Sequence, residues 1–493
     1  MSSLNGESVF NRLPHRSIRS VSAGFLVTSA LLFGGCSPPG SESSTDVSVA
    51  DSATTLSETL ESKSSLDVQT EQLDSYFDAL EQHQRWLGSV VLMVGGEVVY
   101  QRTLQAPDTT EAVQGEPQHP VYHIGSITKS FTSTLVMQLV EEGKISLQDT
   151  VDRWYPGIAN APKITIEYLL THRNGLENFT DREDYFSYYT ESMDKARRLA
   201  LLESLSKEFE PGDQQKYSNT GYMLLGMIAE EVTGKPFSVM LQERIAAPLD
   251  MAFTFYPVDR GSESQGKIHS SLFPSYRWQG AWETAPYTDP SVPGGAGAMV
   301  STPSEVASYF RSLMRGNVLG ESSLKVLMPL EGKLGAGILE FPYYERKGYG
   351  HNGKIDEYAS VAGYFPDGDV AFAVFSNGSR VSNNDINIAL LAAAYGDPIK
   401  IPNFTLAPSV EQTAALAEEI SGLYRSDYMP LEIALFVEEG QLFGQATGQS
   451  KFPLTASSAS EFEFAPAGIV LEVTDKDHFT LHQGGGSTPF VRK

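Results

Sequence analysis

Cysteine is almost absent from this sequence, which has one Cys residue among 493 amino acids. A single thiol cannot form an intrachain disulfide, and it cannot supply a Cys-ligated zinc site or an iron–sulfur cluster within one chain. Basic residues are also few, since 36 Lys and Arg stand against 61 Asp and Glu and give a formal net charge of −25. A chain this acidic repels phosphate backbones, and no Lys/Arg-rich stretch reverses its field locally. The sequence therefore argues against a nucleic-acid partner.

Several familiar catalytic motifs are missing as well. The chain contains no GxSxG, no HExxH and no CxxC, so it lacks the patterns of the α/β-hydrolase nucleophile, of zinc metalloproteases and of dithiol redox sites. Hydrophobic residues nevertheless make up 41% of the chain and charged residues only 20%, which is the composition of a folded globular protein. The length predicts more than one folded unit.

The N-terminal segment combines a basic start with a short apolar run. Arg12, Arg16 and Arg19 precede the largely apolar residues 21–33, and Gly-Gly-Cys follows directly, ending at Cys36. This order is that of a signal peptide, and its ending resembles the bacterial lipobox, in which the cysteine is acylated and becomes the mature N-terminus. A transmembrane anchor is the alternative, but the apolar run is shorter than the roughly 20 residues that span a bilayer. Residues 1–36 are therefore predicted to be a lipoprotein signal peptide, and the protein to be lipid-anchored in the bacterial cell envelope, facing the periplasm or the exterior.

The composition and residue pattern of the remaining chain divide it into three segments. Residues 37–67 are mostly Ser, Thr and acidic residues with almost nothing to bury, which predicts a disordered tether. Residues 68–402 contain a predicted hairpin at 89–102, helical periodicity in the middle, and strands and a helix at the end. That order predicts one α+β domain whose sheet joins distant parts of the chain. Residues 403–493 carry short alternating runs that predict a small antiparallel, lipocalin-like β domain, either a barrel or a sheet.

Ser126 and Lys129 are the first candidates for chemistry. They open a predicted helix at 126–142, directly after Gly125. The three-residue spacing stacks both side chains on one face of a helix, with Cβ atoms ~5–6 Å apart. A serine hydroxyl needs a base within hydrogen-bonding reach to act as a nucleophile, and burial can keep a lysine neutral enough to be that base. The pair therefore predicts a nucleophile beside its base.

The SxxK spacing alone does not identify a nucleophile. A serine that only caps the helix, followed by a solvent-facing lysine, fits the same four residues. The spacing also occurs in three other places, which are Ser204/Lys207, Ser264/Lys267 and Ser322/Lys325. Other motifs must therefore distinguish position 126 from these.

Two further motifs follow along the chain and complete a family pattern. Tyr217-Ser218-Asn219 comes just before a predicted helix, and His351-Asn352-Gly353 leads into strand-like sequence. The order SxxK, YxN and HxG resembles the serine β-lactamase and penicillin-binding-protein superfamily. The nearest branch resembles the class C β-lactamases, D-Ala-D-Ala carboxypeptidases, D-aminopeptidases and related esterases. Segments 169–176, 217–226 and 248–251 fit the same family, and the resemblance extends over about residues 73–395.

The resemblance implies a role for each matching residue. Ser126 would be the acylated nucleophile, and Lys129 would hold or accept its proton. Tyr217 would act with Lys129 as general base, as a phenolate favoured by neighbouring positive charge, and would protonate the leaving group. Asn219 would orient Lys129 and contact the substrate.

The strand motif implies the other side of the site and shows where the chain departs from the family. His351 takes the place of the lysine in the family's KTG motif, which removes a cation that β-lactamases use to hold the β-lactam carboxylate. After Gly353, the backbone N–H of Lys354 would form an oxyanion hole with that of Ser126. Glu357 stands where many relatives have a small glycine. These departures concern the substrate and leave the reaction unchanged, and His172 in segment 169–176 is interpreted as a structural hydrogen-bonding residue.

The sequence thus predicts an α+β fold with a β-lactamase/transpeptidase-like antiparallel sheet, a helical subdomain and a small C-terminal β-barrel-like domain. The function implied by the resemblance is an envelope-anchored serine hydrolase that acts through an acyl-enzyme on an ester or a D-amino-acid amide or peptide. No metal or organic cofactor is implied, and the expected partners are a small-molecule or peptide substrate and a membrane reached through the lipid anchor. A catalytically silent binding lipoprotein and a genuine β-lactamase stay open as alternatives.

We expect Cys36 to carry the lipid. Metabolic labelling with a fatty acid should tag the wild-type protein and leave Cys36→Ser untagged, because the acylated group is attached through the cysteine sulfur. Ser37→Ala keeps that sulfur and should label like the wild type. Equal labelling of the wild type and Cys36→Ser would contradict the lipoprotein assignment.

Overall fold

The computed structural model describes residues 66–106, 119–257, 272–278, 281–330, 334–402, 404, 410–426, 431–447, 449, 451–457, 460–464, 467, 469–483 and 486–493. The predicted signal peptide, Cys36 and all but the last two residues of the predicted tether lie outside these ranges. Within them, no helix has the length and apolar character needed to cross a bilayer.

A six-stranded antiparallel sheet forms the centre of the fold. The strands up to residue 379 are β1 (Trp86–Val94), β2 (Glu97–Leu104), β3 (Tyr122–His123), β4 (Tyr276–Trp278), β5 (Trp282–Thr284), β6 (Val300–Ser301), β7 (Leu339–Tyr343), β8 (Arg346–Ile355), β9 (Tyr358–Phe365) and β10 (Val370–Ser379). In the sheet, β2, β1, β10, β9, β8 and β7 lie side by side in that order. Val90 pairs with Val374, so the first hairpin joins strands near the end of the domain, as the sequence predicted.

Helices cover both faces of this sheet. They are α1 (Thr70–Gln82), α2 (Thr128–Glu141), α3 (Ile166–Leu170), α4 (Tyr185–Tyr188), α5 (Lys195–Glu203), α6 (Asn219–Thr233), α7 (Phe237–Leu241), α8 (Pro303–Met314), α9 (Glu321–Leu327) and α10 (Asn383–Tyr395). Val90 and Leu92 belong to the core shared with α1 and α10, whereas Val91 and Met93 belong to the core shared with α2, α6 and α8. Successive side chains of a strand point to opposite faces, so β1 is apolar along nearly its whole length.

Helix α2 crosses the centre of the larger core and is buried on nearly every side. Its hydroxyl groups are therefore paired: Thr132 donates to the carbonyl oxygen of Gly295 at 2.7 Å, and Thr134 shares a 2.8 Å hydrogen bond with the hydroxyl of Tyr309. The sequence predicted a helix from Ser126 onward. The structure instead has a 3₁₀ turn at Gly125–Ile127, because Gly125 has φ +49°, outside the α-helical region, and α2 begins after it.

The C-terminal strands close into a barrel with its own apolar core. They are β11 (Gly422–Arg425), β12 (Glu432–Glu438), β13 (Gln441–Ala446), β14 (Phe452–Ala456), β15 (Glu461–Phe464), β16 (Ile469–Asp475), β17 (His478–Gln483) and β18 (Gly486–Arg492). Pairing of Tyr424 with Arg492 joins β11 to β18 and closes the ring. The sequence left a barrel and a sheet as alternatives, and it did not predict helix α11 (Val410–Glu419) before the barrel.

We expect a chain truncated after residue 402 to remain folded. The apolar side chains of the barrel pack into a cluster of their own, and every candidate site residue lies upstream. The fragment 37–402 should unfold in one cooperative thermal transition by circular dichroism and should still be labelled by a fluorophosphonate at Ser126. The same fragment with Ser126→Ala controls for labelling elsewhere. An insoluble or unreactive fragment would show that the barrel completes the main domain.

Candidate active site

Ser126 is placed on the 3₁₀ turn that leads into α2. From residue 121 to residue 130 every residue is buried except Ser126, which is partly exposed. This buried segment therefore leaves one residue, Ser126, partly accessible.

The ε-amine of Lys129 lies beneath that hydroxyl. Lys129 sits in the first turn of α2 and has no exposed surface. Its Nζ lies 3.0 Å from Oγ of Ser126, 2.7 Å from Oδ1 of Asn219 and 2.7 Å from the carbonyl oxygen of Ala296. The fold thus surrounds one buried nitrogen with three oxygen atoms from separate parts of the chain.

These three oxygen atoms determine what the amine can do. The oxygens of Asn219 and Ala296 can only accept hydrogen bonds, whereas the hydroxyl of Ser126 can also donate one. Burial lowers the pKa of Lys129 well below its ordinary value of 10.5, because the ammonium form loses its hydration. A neutral amine can donate its two N–H groups to the two carbonyl oxygens, and its lone pair then faces Ser126. The arrangement can therefore take a proton from the serine hydroxyl.

Tyr217 reaches the same hydroxyl from the loop before α6. Its hydroxyl interacts with Ser126, and its ring centroid lies 4.9 Å from Nζ of Lys129. Burial raises the pKa of Tyr217 above its ordinary value of 10.0. The expected phenolate is therefore not favoured, because burial removes the hydration that the charged phenolate needs. Tyr217 keeps its proton and can act as a donor.

Asn219 is oriented by residues that the sequence analysis did not identify. Its Nδ2 donates to Oγ1 of Thr180 at 2.9 Å, and Nδ2 of Asn178 donates to the same oxygen at 2.8 Å. Because the amide nitrogen is held by Thr180, Oδ1 of Asn219 faces Lys129. Thr180 lies in the short 3₁₀ turn Phe179–Asp181, and neither periodicity nor spacing in the sequence connects this turn to α6.

The carbonyl group of Ala296 is another part of the site that was missed. It belongs to the 3₁₀ turn Gly294–Ala296, which packs directly against α6. A Cβ atom on Gly295 would lie 2.8 Å from the carbonyl oxygen of Tyr222, so only glycine permits this approach. The run of small residues in Pro-Gly-Gly-Ala-Gly at 293–297 is the sequence signal that could have found it.

Strand β8 forms the opposite side of the site with His351, Gly353 and Lys354. His351 is buried, and its Nδ1 donates to the carbonyl oxygen of Asn352. Burial, together with the nearby Lys129, lowers the pKa of His351 to about 3. The imidazole is therefore uncharged near neutral pH.

Two glycines allow the serine turn and β8 to come together. A Cβ atom on Gly353 would lie 2.0 Å from the carbonyl oxygen of Ile124 and 2.9 Å from the backbone nitrogen of Ser126. One on Gly125 would lie 2.9 Å from the backbone nitrogen of Lys354. The backbone nitrogens of Ser126 and Lys354 therefore line the same narrow gap, and two such N–H groups can stabilise negative charge that develops on a carbonyl oxygen.

Glu357, which stands where many relatives have a small glycine, is paired with a basic residue. Both Nε and Nη2 of Arg277 donate to Oε1 of Glu357, at 2.9 and 2.7 Å. The charge of Glu357 is thus partly compensated by a neighbouring guanidinium. In the described part of the chain, no three His, Cys, Asp or Glu side chains are grouped so that they could hold a metal ion.

Comparison with known proteins gives a consistent set of relatives. The beta-lactamase family profile matches residues 73–395, which is more than half of the chain. A penicillin-binding protein of Bacillus subtilis (strain 168) is 23% identical over 455 residues, covering 85% of this chain and 98% of that protein. Esterase EstB of Burkholderia gladioli is 29% identical over 196 residues, covering 36% of this chain and 49% of the esterase. The match to EstB thus spans about half of that relative's length.

A solved structure shows the same architecture. The D-amino acid amidase from Ochrobactrum anthropi SV3, solved in complex with D-phenylalanine, superimposes with a TM-score of 0.57 at 25% sequence identity. The superposition covers 66% of this chain and 99% of the amidase.

Proposed function

The chain belongs to the beta-lactamase family of serine hydrolases, and we propose that it hydrolyses esters or D-amino-acid amides and peptides through an acyl-enzyme on Ser126. The proposal includes attachment to the bacterial envelope through a lipid on Cys36. The support for that attachment is the order of basic, apolar and Gly-Gly-Cys residues in segment 1–36.

The observation that carries the proposed chemistry is the contact between Ser126 and Lys129. A 3.0 Å separation places Nζ within reach of the serine proton. Burial favours the amine form of Lys129, and the carbonyl oxygens of Asn219 and Ala296 occupy its two N–H groups. A scaffold used only for binding would gain nothing from burying a lysine in this way, since removing an amine from water is costly.

In the acylation step, Oγ of Ser126 attacks the substrate carbonyl carbon while Nζ of Lys129 takes the hydroxyl proton. The carbonyl oxygen becomes negatively charged beside the backbone N–H groups of Ser126 and Lys354. Losing one such donor typically costs ~10²–10³ in rate. The bond to the amine or alcohol then breaks as Tyr217 gives its proton to the leaving group, and Tyr217 recovers a proton from Lys129.

Hydrolysis of the acyl-enzyme uses the same groups. Lys129 is again a neutral amine once the leaving group has gone, so it can accept a proton from a water that attacks the acyl carbon. Breaking the bond to Oγ releases the carboxylic acid, and Ser126 regains its proton. The proposed reaction steps use no metal or organic cofactor.

The neutral state of His351 favours a substrate with an uncharged acyl group. His351 carries no charge near neutral pH because burial and Lys129 lower its pKa to about 3. A substrate carboxylate at this strand would lose its water without gaining a cation, which is unfavourable. An amidase of D-amino acids and an esterase among the relatives agree with an amide or ester substrate.

We expect Ser126→Ala to abolish turnover while the fold stays intact, because only one small polar group is lost. Purified protein should be assayed with p-nitrophenyl butyrate and D-amino-acid amides, and by labelling with a fluorophosphonate. Ser130→Ala is the matched control: Ser130 lies on the same helix and donates to the carbonyl oxygen of Ile127, so this variant should remain active and labelled. Full turnover by Ser126→Ala would refute the nucleophile, and an unreactive wild type would support a silent binding protein.

A second expectation separates this function from that of a genuine β-lactamase. The wild type should hydrolyse p-nitrophenyl butyrate more efficiently than nitrocefin by kcat/KM, because His351 offers no cation to the β-lactam carboxylate. A charge-assisted hydrogen bond contributes about 1.5–3 kcal/mol, so His351→Lys should raise relative nitrocefin turnover roughly tenfold or more.

Asn352→Lys is the control for that gain. Asn352 is exposed on the same strand. The substitution therefore adds the same charge one residue away, on the other face of the strand, and should leave the preference for p-nitrophenyl butyrate over nitrocefin unchanged. Efficient nitrocefin turnover by the wild type, or an unchanged preference in His351→Lys, would contradict this account of specificity.

A further inference from the structure

We infer that His172 is a positioning residue that holds Tyr217 in place to donate its proton, an inference that rests on the proposed function. The imidazole of His172 stacks on the ring of Tyr217, with centroids 4.6 Å apart and planes 24° from parallel. It also contacts the ring of Tyr222 at 5.1 Å. Stacking on one side fixes the plane of the Tyr217 ring, whose hydroxyl interacts with Ser126.

The same residue holds the backbone on both sides of Tyr217. The carbonyl oxygen of His172 accepts from the backbone N–H of Lys216 at 2.9 Å. Its Nδ1 accepts from the backbone N–H of Ser218 at 3.1 Å. One residue therefore holds three consecutive positions, two through hydrogen bonds and the middle one through its ring. A histidine with only a packing role would not need to pair with both neighbours.

The backbone conformation and charge of His172 suit this role. Its φ is +58°, in the left-handed region, which turns the carbonyl group and the ring toward the same segment. Nδ1 can accept from Ser218 only if it carries no proton, so the ring is neutral with its proton on Nε2. Burial, and then the nearby Lys129 and His351, lower the pKa of His172 well below 6.5. The hydrogen bond from the backbone N–H of Ser218 to Nδ1 is therefore kept at neutral pH.

His172 acts through Tyr217 and does not touch the substrate, since only 1% of its surface is exposed. Its loss should therefore affect the step that needs the Tyr217 proton. An alkoxide or an amine anion is a poor leaving group and must be protonated as it departs, whereas p-nitrophenolate leaves without a proton. The comparison of two esters with the same acyl group isolates that step.

Two substitutions separate the two parts of the contact. His172→Asn keeps an acceptor near the position of Nδ1 and tolerates a positive φ, but it removes the ring that stacks on Tyr217. His172→Phe keeps a ring and removes the acceptor for Ser218. If one variant fails to fold, the other still tests the inference.

The measurement is kcat/KM for ethyl butyrate and for p-nitrophenyl butyrate in the full chain. The ratio of the two values does not depend on the fraction of active enzyme, so a loss of folded protein cannot change it. We expect each variant to lower ethyl butyrate hydrolysis about tenfold or more relative to p-nitrophenyl butyrate, since misplacing a catalytic group by about 1 Å can cost ~10²-fold. His119→Asn is the matched control, because His119 also stacks on an aromatic ring, that of Phe253, with centroids 4.3 Å apart.

The outcomes distinguish this inference from the proposed function. If the wild type hydrolyses both esters and Ser126→Ala neither, the proposed function holds. An unchanged ratio in both His172 variants would then overturn the positioning role alone, as would an equal shift in His119→Asn. If the wild type hydrolyses neither esters nor D-amino-acid amides, or if Ser126→Ala is as active as the wild type, the proposed function fails and the inference fails with it.

Discussion

The buried amine of Lys129 is the point at which three parts of the chain meet. Helix α2 supplies the lysine, the first residue of α6 supplies the amide oxygen of Asn219, and the turn Gly294–Ala296 supplies a backbone carbonyl. An amine without partners in an apolar core would be strongly unfavourable. The two acceptors compensate for this cost and leave one direction open, toward Ser126. Correct packing of α2 against α6 and the 294–296 turn is therefore a condition for reactivity as well as for stability.

The fold was largely predictable because its signals are local. The positive φ of Gly95 and Gly96 gives the tight turn between β1 and β2, and alternating residues at 431–437 indicate a strand of the barrel. Closure of the barrel was not predictable, since it depends on the pairing of Tyr424 with Arg492 at opposite ends of the domain. Local patterns identify strands, and only the folded chain shows which strands are neighbours.

The candidate site was also predictable only in part from the sequence. Residue types at fixed spacing drew attention to Ser126, Lys129 and Tyr217, but their charge states depend on burial that no spacing shows. The expected phenolate at Tyr217 was wrong for this reason, since the surroundings raise its pKa. Thr180 was missed because a hydroxyl in a short loop becomes informative only when it lies 2.9 Å from Asn219. The pairing of Glu357 with Arg277 likewise joins residues far apart in the chain.

The position of β1 beside β10 also affects how the chain folds during its synthesis. Val90 pairs with Val374, so β1 has no partner on that side until most of the chain after it has been synthesised. Long-range pairing of this kind makes folding slow and leaves apolar strands uncovered in the meantime. The gap between Gly125 and Gly353 is completed by that same late part of the sheet. A ribosome-bound or prematurely terminated chain can therefore contain Ser126, Lys129 and Tyr217 and still lack the second backbone amide, so assembly of the site is tied to completion of the polypeptide.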